Sequence, residues 1–263
     1  WGLVYPGMAT YTNQITPSGS PLYKDRPFIV VLDEMNLSHP EQYFADLLST
    51  LEQDVNRQHL VLMSAAIDVP PKQFKEGRKL PLPPNVWFVG TANHDETTKD
   101  FADKTYDRAH VMELPRHHEN FQAKEIPLAS PVAFDALLAA FSAAKGKHAK
   151  DYQASYEFLE KRLGDRLSQK FRLGWGNRLE RQMESYVPVV IAAGGSRGEA
   201  TDHILATKLL RKIRDRHDNR PEDLMALRDL IRSEWVQLDK ANAPEKSLQI
   251  IQDELRRLGE GDD

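Results

Sequence analysis

Two neighbouring acids, Asp33 and Glu34, follow directly on the run Phe28-Ile29-Val30-Val31-Leu32. A continuous β-branched run of this kind reads as a strand buried on both faces of a parallel sheet, and such sheets bind ligands just outside the carboxyl ends of their strands. Adjacent acids at that place divide into two roles. One carboxylate suits a divalent cation that neutralises phosphate charge, and the other can orient and deprotonate an attacking water. The plainer alternative makes them acids of the kind that commonly begin a loop. A second apolar run, Val86-Trp87-Phe88-Val89-Gly90, leads into a polar segment containing Thr91, Asn93, His94, Asp95 and Glu96. Asn93 could hold a water or a phosphate by hydrogen bonds without carrying charge, or it could cap a helix.

Positioning these groups requires strands that alternate with helices. Tyr43, Phe44, Leu47, Leu48 and Leu51 recur at helical spacing after the first strand. Residues 59–63 and 67–69, with 79–82 beyond a polar turn, predict a hairpin, placed at an edge by its prolines. Residues 110–114 predict a third short strand before Pro115. This order is that of an α/β protein with a parallel sheet. The first 26 residues read mostly as loop.

From Pro131 the character changes to successive helices. Apolar stripes run through Phe134, Leu137, Leu138 and Phe141, then through Tyr152, Tyr156, Leu159, Leu163 and Leu167, and then through Leu205, Leu209 and Ile213. Pro221-Glu222-Asp223 makes a good first turn for a helix carrying Leu224, Leu227, Ile231, Trp235 and Leu238, and Leu248, Ile251, Leu255 and Leu258 follow. The stripes predict a helical bundle, with a coiled coil as the alternative. The boundary is expected near residues 119–131, which gives an α/β portion over 1–125 and a helical portion over 126–263.

Composition narrows the classes. Thirty-five basic side chains against 39 acidic ones leave a net charge of -4, so no whole-chain field draws the protein to nucleic acid or to an anionic membrane. The 263 residues contain no cysteine, which excludes disulfides, a thiol nucleophile and Cys-based zinc sites and fits a reducing, cytoplasmic compartment. The longest apolar stretch, 186–193, is broken by Pro188 and falls short of the roughly 18 residues that span a bilayer. Gly194-Gly195-Ser196-Arg197-Gly198 matches the G-x-S-x-G elbow of hydrolases, but only helices are expected downstream, where an acid and a histidine would be needed; an inter-helix loop is the preferred reading. His117-His118-Glu119 lacks metal-ligand spacing and reads as a surface turn. The basic run Lys208, Arg211, Lys212, Arg214, Arg216 is interleaved with Asp215 and Asp218 and reads as a solvated helix face.

Taken together, FIVVLDEMNLSHPEQYFADLLSTLE resembles the Walker B strand and following helix of McrB-like, dynein-related AAA+ ATPases, and VWFVGTANHDETT is similar to their sensor 1 segment. The stretch 101–109, ending in Asp107-Arg108-Ala109, resembles the place where this group carries the arginine that reaches a neighbouring subunit. The likeness covers residues 27–115. It continues more faintly over Gly174-Trp175-Gly176-Asn177-Arg178 and Glu199-Ala200-Thr201-Asp202, which resemble lid helices. It implies a P-loop NTPase core followed by a helical lid with a carboxyl-terminal extension. The implied site has Asp33 on Mg²⁺, Glu34 as base, Asn93 as sensor, Asp95 and Arg178 toward the nucleotide, and Arg108 acting in trans. ATP or GTP would be the cofactor, without a choice between them. A homo-oligomeric ring, commonly a hexamer in this group, would drive a remodelling task or a partner such as a nuclease in restriction of foreign DNA; no membrane contact is expected, and direct DNA contact stays open.

One departure is large. Cradling a triphosphate takes a glycine-rich loop ending in Gly-Lys-Ser/Thr, and this sequence has none; Gly146-Lys147 is followed by His148 within a helical stretch. With Trp1 in place of an initiator Met, the sequence is expected to be part of a longer protein whose preceding segment carries that loop, so the fragment alone is expected to be inactive. A non-catalytic ring subunit that lends Arg108 in trans is the alternative. A MoxR-like chaperone that inserts cofactors into partners shares the same motifs.

Overall fold

The computed structural model describes residues 26–66, 68, 74–93, 101–114 and 132–259. They form a mixed α/β chain with a small parallel sheet and many helices, divided into two compact units, Trp1–Leu137 and Leu138–Asp263. The boundary expected near 119–131 and the histidine pair at 117–118 lie outside the described residues, as do the loop expected over 1–25 and residues 67 and 69 of the expected hairpin.

In the first unit β1 (Phe28–Leu32) is followed by two short helices, α1 (Pro40–Tyr43) and α2 (Ala45–Leu51). A hairpin of β2 (His59–Val61) and β3 (Lys79–Pro81) comes next, then β4 (Val86–Gly90) and α3 (Asp103–Arg108). β1 and β4 pair in parallel, with Phe28 opposite Val86 and Leu32 opposite Gly90. Asn85, buried just before β4, accepts the Phe28 N–H on its carbonyl and donates from its amide to the Arg26 carbonyl, which fixes where the two strands begin together. One face of this sheet is covered. Phe88 meets Phe44 edge-on at 6.0 Å, and Leu32 and Met35 pack against Phe44, Leu47, Leu60, Leu80 and Leu82. The opposite face is largely open: Ile29, Val31 and Val89 are 55%, 58% and 46% exposed, although Trp87 meets Phe134 at 6.3 Å.

Burial of β1 on both faces is therefore corrected. Its side chains alternate between half-buried and exposed because, among the described residues, the helix and hairpin layer packs on the face of Phe88 and Leu32, and little besides Phe134 reaches the other. The third strand expected at 110–114 is not formed either; this segment belongs to neither sheet, and Met112 and Leu114 are 77% and 85% exposed.

The second unit holds α4 (Phe134–Lys147), which starts in the first, then α5 (Ala149–Glu157), a π-helical turn (Phe158–Leu163), α6 (Gly164–Phe171) and α7 (Asn177–Ala192). A further helix α8 (Arg197–Ile204) continues through a π turn (Leu205–Leu209) and a 3₁₀ turn (Leu210–Ile213), and α9 (Pro221–Leu238) and α10 (Glu245–Arg257) complete the unit. All the later stripes converge. Leu159, Leu163, Leu167, Leu205, Leu209, Ile213, Leu224, Leu227, Ile231, Trp235, Ile251 and Leu255 share one core, a bundle of helices. Among the described residues no helix is long and apolar enough to cross a membrane.

The reading of the basic run as a solvated face is corrected at one position. Lys208 is 4% exposed, because the helix that carries it is buried on every side from Ala200 to Leu210. Arg216 is also engaged, through two bonds to Asp218 and one from Nη1 to the Phe171 carbonyl at 2.6 Å.

Candidate functional site

The parallel register determines what meets at the carboxyl end of the sheet. With Leu32 opposite Gly90, Asp33 comes level with Thr91, and the chain after each strand crosses toward the other. Thr91 N–H donates to the Leu32 carbonyl at 3.0 Å, and Met35 N–H donates to the Thr91 carbonyl at 2.9 Å. Between those bonds the Thr91 hydroxyl donates to Asp33 Oδ1 at 2.5 Å and accepts the Glu34 N–H at 2.9 Å. Asn36, almost wholly buried, donates from Nδ2 to the Asn93 carbonyl at 2.7 Å and so pins the second loop to the first.

This turn is tight. Glu34 has φ 48°, the left-handed region, which costs a non-glycine residue about 1 kcal/mol. Tyr43, on α1, donates its hydroxyl to the Met35 carbonyl at 2.6 Å, and burial pushes its phenol pKa up. Met35 in turn lies over the end of β4, where a Cβ on Gly90 would strike its sulfur. Gly90 thus leaves the space that the Met35 side chain fills.

Asp33, Glu34 and Asn93 are exposed at this end of the sheet. Asp95 lies outside the described residues. Arg108 ends α3 and is held by α2 of its own chain: Nη1 donates to Ser49 Oγ at 2.7 Å, and Nε stands 3.5 Å from Glu52 Oε2. Arg178 is an exposed residue in the first turn of α7, in the helical unit.

Among the described residues no three His, Cys, Asp or Glu side chains are grouped to hold a metal. Magnesium in nucleotide sites typically takes one or two protein carboxylates and fills its octahedron with waters and substrate phosphates. An exposed Asp33 with one oxygen bonded to Thr91 fits that donor set.

Ser196 is a helix cap rather than a nucleophile. Its hydroxyl accepts the Glu199 N–H at 3.0 Å while Glu199 Oε2 accepts the Ser196 N–H at 2.7 Å, a capping box at the start of α8. The apolar run before it is α7, not a strand, and the Ser196 proton goes to Asp239 Oδ2 at 2.8 Å instead of to a histidine. Burial alone would raise the Asp239 carboxyl, but bonds from Asn242, Ser196 and two backbone N–H groups outweigh it and hold the pKa low.

Thr91, Ser49, Glu52 and Asn36 were not singled out by type or spacing. Thr91 could have been found by laying the two strand runs side by side, since both end at the same level; Ser49 and Glu52 carry no local signal. No protein-family model, curated protein or solved structure matches the chain.

Proposed function

We propose that this chain is the carboxyl-side portion of a McrB-like AAA+ NTPase subunit, which couples hydrolysis of ATP or GTP to remodelling work or to a partner nuclease. The observation that carries this reading is the parallel pairing of β1 and β4, with Asp33, Glu34 and Asn93 just beyond the same end of one sheet. Asp33 holds the magnesium that accompanies the nucleotide, and that ion supplies charge neutralisation for the phosphates. Glu34 takes the proton of the attacking water, and Asn93 holds that water or the γ-phosphate by hydrogen bonds. Asp95 and Arg178 contact the nucleotide, and Arg108 reaches the nucleotide of the next subunit in a head-to-tail ring, a hexamer in this reading. Arg108 has first to leave Ser49 and Glu52.

The reading requires a phosphate-binding loop from polypeptide outside these residues. The open sheet face at Ile29, Val31 and Val89 suits a further layer. A second reading, a non-catalytic subunit that only lends Arg108, is favoured by the lack of a G-x-x-x-x-G-K-[ST] sequence. The gene preceding the Trp1 codon separates the two: strand-GxxxxGK[ST]-helix supports the NTPase, and a natural start codon near Trp1 defeats it. In the full-length protein Asp33→Asn should lower magnesium-dependent turnover by at least about tenfold. The scaffold reading expects no turnover with either side chain.

A further inference from the structure

Thr91 touches four consecutive residues of the neighbouring strand end. Its N–H donates to Leu32, its hydroxyl donates to Asp33 and accepts from Glu34, and its carbonyl accepts from Met35. A hydroxyl has one proton to give and lone pairs to receive, so the bonds to Asp33 and Glu34 coexist without competition. The β-branched side chain is stiff at χ1, which fixes the direction of both. These are the two residues whose carboxylates have to act differently, and one of them, Glu34, holds a left-handed backbone. Asn36 also ties the two loops, but through the Asn93 carbonyl.

We propose that Thr91 is the positioning residue of the acid pair. Its hydroxyl occupies Asp33 Oδ1 and leaves Oδ2 for a divalent cation, and it holds the Glu34 N–H so that the turn keeps its left-handed residue. One hydroxyl thereby separates the roles of two adjacent carboxylates, one through its side chain and one through its backbone. This rests on the reading of the site as a magnesium–nucleotide site.

The backbone part is tested on the chain itself by amide hydrogen exchange. The Glu34 amide should be protected in the wild type and in Thr91→Ser, and should exchange at least about tenfold faster in Thr91→Val, which keeps the shape and loses the hydroxyl. The Thr91 amide should stay protected in all three. An unchanged Glu34 rate in Thr91→Val would overturn the proposal. The functional part is read in the full-length protein. Thr91→Val should lower kcat roughly ten- to a hundredfold, as expected for a slightly misplaced group, and raise the Mg²⁺ concentration for half-maximal turnover, with a smaller effect on nucleotide KM. Thr91→Ser should restore both, and equal Tm values across the set would separate positioning from folding. Wild-type kcat and Mg²⁺ dependence in Thr91→Val, with Glu34→Gln inactive, would overturn the role of Thr91 alone. Full turnover in Glu34→Gln would overturn the nucleotide reading, and Thr91's role with it.

Discussion

Leu163 and Leu167 of the helical unit are fully buried, whereas Ile29 and Val31, in the strand that ends at the candidate site, are more than half exposed. Polar groups follow the same division. In the helical unit Asp202 accepts the Lys246 and Ser247 N–H groups at the start of α10, and Glu254 accepts from the Asp215 N–H, Asn219 and Arg257. These bonds close inside the unit. In the α/β unit Thr91 ties the two strand ends together, Ile29, Val31 and Val89 on one face of the sheet stay about half exposed, and the acids beyond the strand end are exposed. The helical unit closes its own core, whereas the described part of the α/β unit presents its acids at an exposed strand end.

The largest expected effect lies in the helical core. Leu163→Ala should cost about 2–5 kcal/mol by denaturant unfolding, whereas Val31→Ala on the open face should change stability by less than about 0.5 kcal/mol. Equal losses would break the comparison, since they would mean that Val31 is covered in solution. Gly198→Ala comes next, at about 1–3 kcal/mol: a Cβ there meets the Asp239 side chain, which Ser196 and Asn242 hold in place. A neutral result would show that the clamp between α8 and the end of α9 is loose.

A smaller effect sharpens the electrostatic side. Burial would raise the Glu254 carboxyl, but Arg257, the Asp215 N–H and Asn219 outweigh it and hold the pKa below its ordinary 4.5. The folded state therefore binds this proton less tightly than the unfolded one. Its contribution is complete above pH 4.5 and is lost as pH falls through the lowered value. Glu254→Gln should make the acid limb of the stability curve shallower. Asp202 acts in the opposite sense, because burial raises its pKa despite the bonds from Ser247 and Lys246; its contribution is present below pH 3.8 and fades as pH rises through the raised value. An unchanged acid limb in Glu254→Gln would remove Glu254 from this account.

Much of the framework was legible from sequence because it rests on local pattern. The β-branched runs at 28–32 and 86–90 are strands, residues 59–61 and 79–81 form the hairpin, and Pro221 opens its helix where its missing N–H is harmless. Periodicity says which side chains share a face, but not whether another layer covers that face, so the exposure of Ile29 and Val31 and the run at 110–114 that joins neither sheet did not show. Lys208 was hidden for another reason: its helix is enclosed by its neighbours on every side from Ala200 to Leu210, which a charged run does not announce. At the site, Asp33 and Glu34 stood out by type and place. Thr91 did not, since its role depends on the register of two strands separated by the helices and the hairpin.

In the proposed function the carboxylate of Glu34, just beyond the end of β1, is the base of the hydrolysis. Nucleotide binding and turnover by the full-length protein with Glu34→Gln test it most directly. Turnover should vanish while nucleotide stays bound, and an unchanged hydrolysis rate would contradict the role of Glu34 as base.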